Sequence, residues 1–183
     1  MRIENIADEA GLSIKWRPFL LGPIFKSFGW DNSPFVLQKE KGDYMWKDMV
    51  RQCRKYDIPW TRPSTFPRLA ILPLRVALYG AEQPWIGEFC KRVMLQNFAT
   101  DQDINAEENV ANVLEKLHLP AASIIAIAQN ETNKLKLREQ TNNAKSLGIF
   151  GAPTFFVSGE MFWGNDRLDE AIAYARELRQ TLP

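Results

Sequence analysis

The arrangement that most constrains this chain is a helix that feeds directly into a strand at its very start. Ile3, Ile6, Ala7 and Ala10 recur at helical spacing. Gly11 stands where a helix C-cap is expected. Leu12, Ile14 and Trp16 then alternate with Ser13, Lys15 and Arg17, a period of two that predicts a short strand over Leu12–Phe19, with Pro18 at its edge or exit. A helix leading into a strand is the second half of a βαβ crossover. A first strand is therefore expected ahead of residue 2, and the sequence starts without it.

Residues 20–37 read as loop, with Gly22, Pro23, Gly29, Asn32, Ser33 and Pro34 scattered through them. Residues 38–147 read as helix throughout. Tyr44, Met45, Met49, Val50 and Cys53 form an apolar stripe on the first helix, and Pro59, Pro63 and Pro67 interrupt the chain before a second. Pro84 suits the opening turn of a third, Asn105 with Glu108 resembles a capping box for a fourth, Pro120 opens a fifth, and a polar sixth ends at Gly148. The pattern then changes. Thr154–Val157 and Glu160–Trp163 predict a hairpin closed by Ser158-Gly159. Leu168, Ala171, Ile172, Ala175 and Leu178 line one face of a last helix. With the absent strand restored, the order is βαβ, a helical block, then ββα. This is an α/β, thioredoxin-like order with a large all-helical insertion and its first β-strand missing. Residues 1–37 and 148–183 would form the incomplete thioredoxin-like unit, and 38–147 the insertion.

Composition excludes several functions. With 23 basic and 22 acidic side chains in 183 residues the net charge is +1, without the basic excess of a nucleic-acid binder. Lys39, Lys41 and Lys47 interleave with Glu40, Asp43 and Asp48, as on a solvated helix face. No apolar run approaches the about 18 residues of a membrane span, and the opening residues lack the apolar core of a signal peptide. Cys53 and Cys90 have no CxxC spacing and read as small buried hydrophobes in a reducing, cytoplasmic protein. One histidine, His118, at a helix end, and two scattered cysteines provide no metal site.

Two constellations carry chemistry. Gly151-Ala152-Pro153-Thr154 precedes a strand. There Pro153 is either a plain trans proline or a cis proline, which would turn the Ala152 N–H and C=O outward to pair with an extended peptide. Trp163-Gly164-Asn165-Asp166-Arg167 opens the last helix. It is either an ordinary N-cap or a site where free N–H groups hold a carboxylate while Asp166 accepts from an ammonium.

These segments are familiar together. Leu147-Gly-Ile-Phe-Gly-Ala-Pro-Thr-Phe-Phe156 and Met161-Phe-Trp-Gly-Asn-Asp-Arg-Leu168 closely resemble the C-terminal signature of 2-hydroxychromene-2-carboxylate isomerases. Trp16-Arg-Pro-Phe-Leu-Leu-Gly22, Asn32-Ser-Pro34 and Lys41-Gly-Asp-Tyr44 resemble further elements of that family and of the kappa-class glutathione transferases. The resemblance implies a DsbA-like architecture, a homodimer, glutathione as cofactor and a small aromatic carboxylate as substrate. It implies that Ala152 beside Pro153 pairs with the cysteinyl backbone, that Asn165 and Asp166 hold the γ-glutamyl head, and that Asn32 and Lys41 lie near the glycyl end and the substrate, Lys41 as a cation for a carboxylate. The family's catalytic serine, in a Ser-Pro-aromatic-Ser segment after the first strand, is expected upstream of Met1, in a longer natural protein; no residue here replaces it. Where many relatives carry Asn after a Phe-Pro pair, Phe66-Pro67 is followed by Arg68-Leu69. The expected activity is a glutathione-dependent isomerase. The alternatives are a kappa-class-like transferase, a thiol–disulfide oxidoreductase of the DsbA type whose active-site segment is absent, and a non-catalytic glutathione-binding domain.

Overall fold

The computed structural model describes residues 2–181; Met1 and the last two residues of the predicted C-terminal unit lie outside them. The opening helix α1 (Ile3–Glu9) buries Ala7, and after it the Leu12 N–H donates to the Ala7 carbonyl at 2.8 Å. The strand predicted over Leu12–Phe19 needs correction. Leu12, Ile14 and Trp16 are half-buried and Ser13, Lys15 and Arg17 exposed, so the alternation is real. Yet among the described residues the sheet holds only β1 (Thr154–Val157) and β2 (Glu160–Trp163). A strand is defined by its ladder, whereas a period of two reports only which face is covered.

The predicted loop 20–37 is also corrected. It contains α2 (Leu21–Ser27) and the short α3 (Pro34–Leu37). Pro23 falls in the first turn of α2, where a proline is tolerated, and Ile24 is fully buried. The Ser33 hydroxyl caps α3, accepting from the Phe35 N–H at 3.3 Å. The Leu20 N–H donates to the Thr141 hydroxyl at 3.2 Å.

The helical block comprises α4 (Lys39–Lys55), α5 (Ile71–Tyr79), α6 (Ile86–Phe98), α7 (Glu107–Lys116), α8 (Ala121–Gln129) and α9 (Glu131–Ser146). Its core joins Leu72, Val76, Phe89, Val93, Val110, Leu114, Ile124 and Ala128, with Trp16 packed against it. Full burial of one such side chain contributes about 1.5–3 kcal/mol. On α4 the expected stripe covers Cys53 and half-buries Met45, Met49 and Val50, but Tyr44 is 63% exposed. Helical geometry turns it toward Arg51, seven residues on, whose guanidinium lies 5.9 Å from the ring centroid. The expected capping box of α7 is corrected as well. Ala106 is the N-cap, and Asn105 Oδ1 accepts instead from the Leu72 N–H at 3.1 Å. His118 takes a positive φ just past α7, where its N–H donates to the Glu115 carbonyl at 2.8 Å, a cap geometry that assigns it to the backbone.

Arg68 is a hub. Its side chain is 9% exposed and pairs with the Asp101 carboxylate. It also donates to Asn97 Oδ1 and the Gln102 carbonyl, each at 2.9 Å, and to the Ser64 hydroxyl at 3.1 Å. Elsewhere α1 meets α6 through Glu4, whose carboxylate occupies the space that a side chain at Gly87 would need.

At the C-terminal end β1 and β2 pair antiparallel, Thr154 opposite Trp163 and Val157 opposite Glu160. Ser158 and Gly159 both have positive φ, as a type I′ turn requires. A 3₁₀ turn over Asn165–Arg167 leads into α10 (Leu168–Thr181). Leu168 and Ala171 are buried, and the Tyr174 ring meets Phe162 at 5.6 Å. A second, small core of Ile24, Ala144 and Ile149 lies next to the segment that leads into β1, with Phe19 packed on it.

Candidate functional site

The two chemistry-bearing segments meet. Ala152–Pro153 is a cis peptide, so the cis alternative holds, and both residues are exposed. The Gly164 N–H donates to the Pro153 carbonyl at 3.0 Å, which sews the turn before β1 to the turn after β2. The Thr154 hydroxyl donates to the Gly151 carbonyl at 2.8 Å. The Trp163 indole lies where a side chain at Gly151 would stand, with the Phe150 ring 4.8 Å away. Gly164 has φ +107 and ψ 154, a region open essentially to glycine alone. The Asp166 carboxylate fills the space beside it.

Ala152, Pro153, Asn165 and Asp166 therefore form one exposed surface. The start of the helical run at Asn165 presents backbone N–H groups without intrahelical acceptors, and Asp166 adds an exposed carboxylate. This pairing of N–H donors with a carboxylate acceptor fits an α-amino-acid head, and the exposed Ala152 backbone fits an extended peptide beside it. The donor set is thus of the right chemistry for glutathione.

Arg2, which the sequence reading passed over, holds Asn165. Its Nη2 donates to the Asn165 carbonyl at 3.2 Å and to Asn165 Oδ1 at 3.4 Å, while Nη1 bonds the Asp169 carboxylate at 3.0 Å. The guanidinium carbon stands 4.5 Å from the Tyr56 ring centroid, so α1, the end of α4 and the start of α10 converge on one side chain. No sequence pattern reports such a contact, because 163 positions separate Arg2 from Asn165.

Asn32 and Lys41 occupy the α3–α4 corner. Asn32 Oδ1 accepts from the Ser33 N–H at 2.8 Å, an Asx turn that leads into α3. Lys41 is exposed and its Nζ lies 6.0 Å from the Phe35 ring centroid. The glycine of the Lys41-Gly-Asp-Tyr44 element is a packing residue: any side chain at Gly42 would collide with the Phe35 carbonyl. Among the described residues, no hydrogen bond or ion pair joins Asn32 or Lys41 to the Ala152–Asp166 surface. Arg68, at the position after Phe66-Pro67, is directed into its hub.

A cleft of about 350 Å³ opens beside α4, lined by Phe35, Lys39, Asp43, Trp46, Arg62 and Phe66 among others. Arg62 lies 4.9 Å over the Trp46 ring. The Lys39 ammonium, 2.5 Å from Asp43, holds the Asp43 carboxyl below the usual carboxylate range through hydrogen bond and charge. The cleft touches none of the six predicted site residues, so it is a separate concavity. The two thiols are unsuited to nucleophilic work. Burial pushes Cys90 up to about 11, helped by the Glu4 charge, and burial also raises Cys53.

Comparison with known proteins identifies the fold and the family. The chain is 27% identical over 179 residues to 2-hydroxychromene-2-carboxylate isomerase of Sphingobium xenophagum, covering 95% of this chain and 88% of that one. It is 29% identical over 177 residues to glutathione S-transferase kappa 1 of Rattus norvegicus, covering 89% and 77%. A solved structure of a 2-hydroxychromene-2-carboxylate isomerase superposes with a TM-score of 0.85 at 26% identity, over 98% of this chain and 88% of that one. The helical block beside a small sheet is thus a DsbA-like thioredoxin fold with a helical insertion. The profile of the DSBA-like thioredoxin domain matches residues 1–174, and the chain belongs to that family.

Proposed function

We propose that this protein is a glutathione-dependent isomerase acting on a small aromatic carboxylate, in the manner that the names of its relatives describe. Those relatives are isomerases and glutathione transferases, and an enzyme of the same family is the reading their similarity supports. The observation that carries the glutathione part is the junction of the exposed Ala152–Pro153 turn with the Asn165–Asp166 helix start through the Gly164–Pro153 hydrogen bond.

Bound glutathione would supply a thiolate that adds reversibly to an unsaturated substrate. The chain's own residues bind and orient it. The Ala152 N–H and C=O pair with the cysteinyl backbone, as in an added β-strand. The first N–H groups of the 165–181 run take the γ-glutamyl carboxylate, and Asp166 accepts from the ammonium. Asn32 and Lys41 belong to the same proposal as groups near the glycyl end and the substrate, Lys41 supplying a cation. So do the division into a 1–37 and 148–183 unit and a 38–147 helical unit, the homodimer, and a reducing cytoplasmic setting, which suits two free thiols.

A kappa-type transferase is the second reading, supported by the relatives of that name. The raised thiols of the buried Cys53 and the half-buried Cys90 favour both over thiol–disulfide exchange by these two cysteines.

The test is calorimetric titration with glutathione, coupled to glutathione-dependent isomerisation of a chromene carboxylate followed by absorbance. Binding at one site, weakened about tenfold or more in Asp166→Asn through loss of a charge-assisted bond, is the expected result. The absence of binding to this chain, or the absence of turnover in a protein that also carries the family's serine segment, would reject the assignment.

A further inference from the structure

We infer that Arg2 is a positioning residue that makes Asn165 a hydrogen-bond donor toward the ligand and thereby sets selectivity for a carboxylate at the start of α10; this rests on the glutathione reading. An asparagine amide can present either its oxygen or its nitrogen to a ligand, and its partners decide which. Arg2 has donors only. Its Nη2 lies at hydrogen-bond distance from both the Asn165 carbonyl and Asn165 Oδ1, so the amide oxygen faces the protein. The Asn165 Nδ2 group is left on the exposed side, with no acceptor among the described residues. Asn165 thus offers two N–H donors beside the free backbone N–H groups of the turn. The Asp166 carboxylate stands next to them as an acceptor for an ammonium.

The surroundings of Arg2 fit this role. Its side chain is 22% exposed and bonded to Asp169, one turn further along the helical run. Tyr56 backs the guanidinium at 4.5 Å. Its Nε is buried without a partner, so every hydrogen bond that the described structure gives this side chain goes to the first turns of the 165–181 run. An arginine presents a rigid fork that can reach two acceptors at once; a lysine offers a point charge that cannot hold Asn165 and Asp169 together.

The experiment compares glutathione with γ-aminobutyryl-cysteinyl-glycine, which is glutathione without its α-carboxylate, by calorimetry on the unaltered chain, Arg2→Met and Arg2→Lys, with the melting temperature of each recorded. The unaltered chain is expected to prefer glutathione by about tenfold or more, the span of a hydrogen bond to a charged group. In Arg2→Met that preference falls to about twofold, and Arg2→Lys lies between. Should Arg2→Met not fold, Arg2→Lys carries the comparison alone, with a reduced preference expected. Variants that melt lower but keep the full preference would show a merely structural role and overturn the inference. An unaltered chain that binds both peptides equally would overturn it while leaving glutathione binding intact. An unaltered chain that binds neither would overturn the glutathione reading and this inference with it.

Discussion

Gly164 and Pro153 are joined by one hydrogen bond of 3.0 Å, from the Gly164 N–H to the Pro153 carbonyl. The turn before β1 therefore cannot shift independently of the turn after β2. Ligand groups on one turn are set at a fixed spacing from those on the other, which is the pre-organisation that binding an extended peptide requires.

The first prediction concerns Gly164 itself. Gly164→Ala forces a side chain onto φ +107 and into the space of the Asp166 carboxylate. The backbone cost is about 1–3 kcal/mol, which in a chain of this size lowers the melting temperature by about 2–4 °C per kcal/mol. Because Asp166 must also move, glutathione affinity falls with it. Differential scanning calorimetry and titration read the two effects separately.

A second prediction tests the tie between the α2 segment and α9. The buried Thr141 hydroxyl donates to the Leu137 carbonyl at 2.8 Å and accepts from the Leu20 N–H. Thr141→Val keeps the shape and orphans that N–H. It is expected to destabilise by about 1–3 kcal/mol, whereas Thr141→Ser, which keeps the hydroxyl, recovers most of this in urea unfolding.

Acid stability gives the third. The Ser64 N–H, and then Arg68, hold the Asp101 carboxyl below its ordinary range. A lowered carboxyl contributes stability that is complete above its unfolded value near 3.8 and lost as pH falls through the lower folded value. Melting temperatures across pH 2–6 are therefore expected to show Asp101→Asn below the unaltered protein at pH 6, with the gap closing toward pH 2. A gap that stays constant with pH would refute the assignment.

The fourth concerns the thiols. With Cys90 raised to about 11 and Cys53 raised by burial, both are expected to resist iodoacetamide in the folded protein at pH 7.5 and to react in guanidinium. Alkylation counted by mass spectrometry checks this. A raised thiol also destabilises the fold as pH climbs from its ordinary value of 9.0 toward 11, because the unfolded chain ionises first.

What the sequence revealed was what local chemistry determines. Ser158-Gly159 announced the hairpin because its two positive-φ positions admit few residues. On α4 spacing marked Met45, Met49, Val50 and Cys53 as the covered side but wrongly included Tyr44, and the Gly-Ala-Pro-Thr and Gly-Asn-Asp segments were visible because each is contiguous. The strand over Leu12–Phe19 was misread because alternation records burial, and a ladder depends on a neighbour that alternation does not specify. Asn105 was misread because its Oδ1 had a distant competitor, the Leu72 N–H, for the role of cap. Arg2 was passed over, and Arg68 stood out only as a departure from its relatives, for the same reason: each gains its meaning from partners far away along the chain.

Glu4 and Gly87 show how α1 is fitted against α6. The carboxylate of one stands in the side-chain space of the other, in the first turn of α6, where a negative charge also suits the positive end of the helix dipole. A residue larger than glycine at 87 is admissible only if position 4 shortens or turns away. Whether a given side chain is accommodated at 87 is therefore decided by how far the exposed Glu4 carboxylate can swing aside, so the α1–α6 contact is held by a yielding group and not by a rigid one.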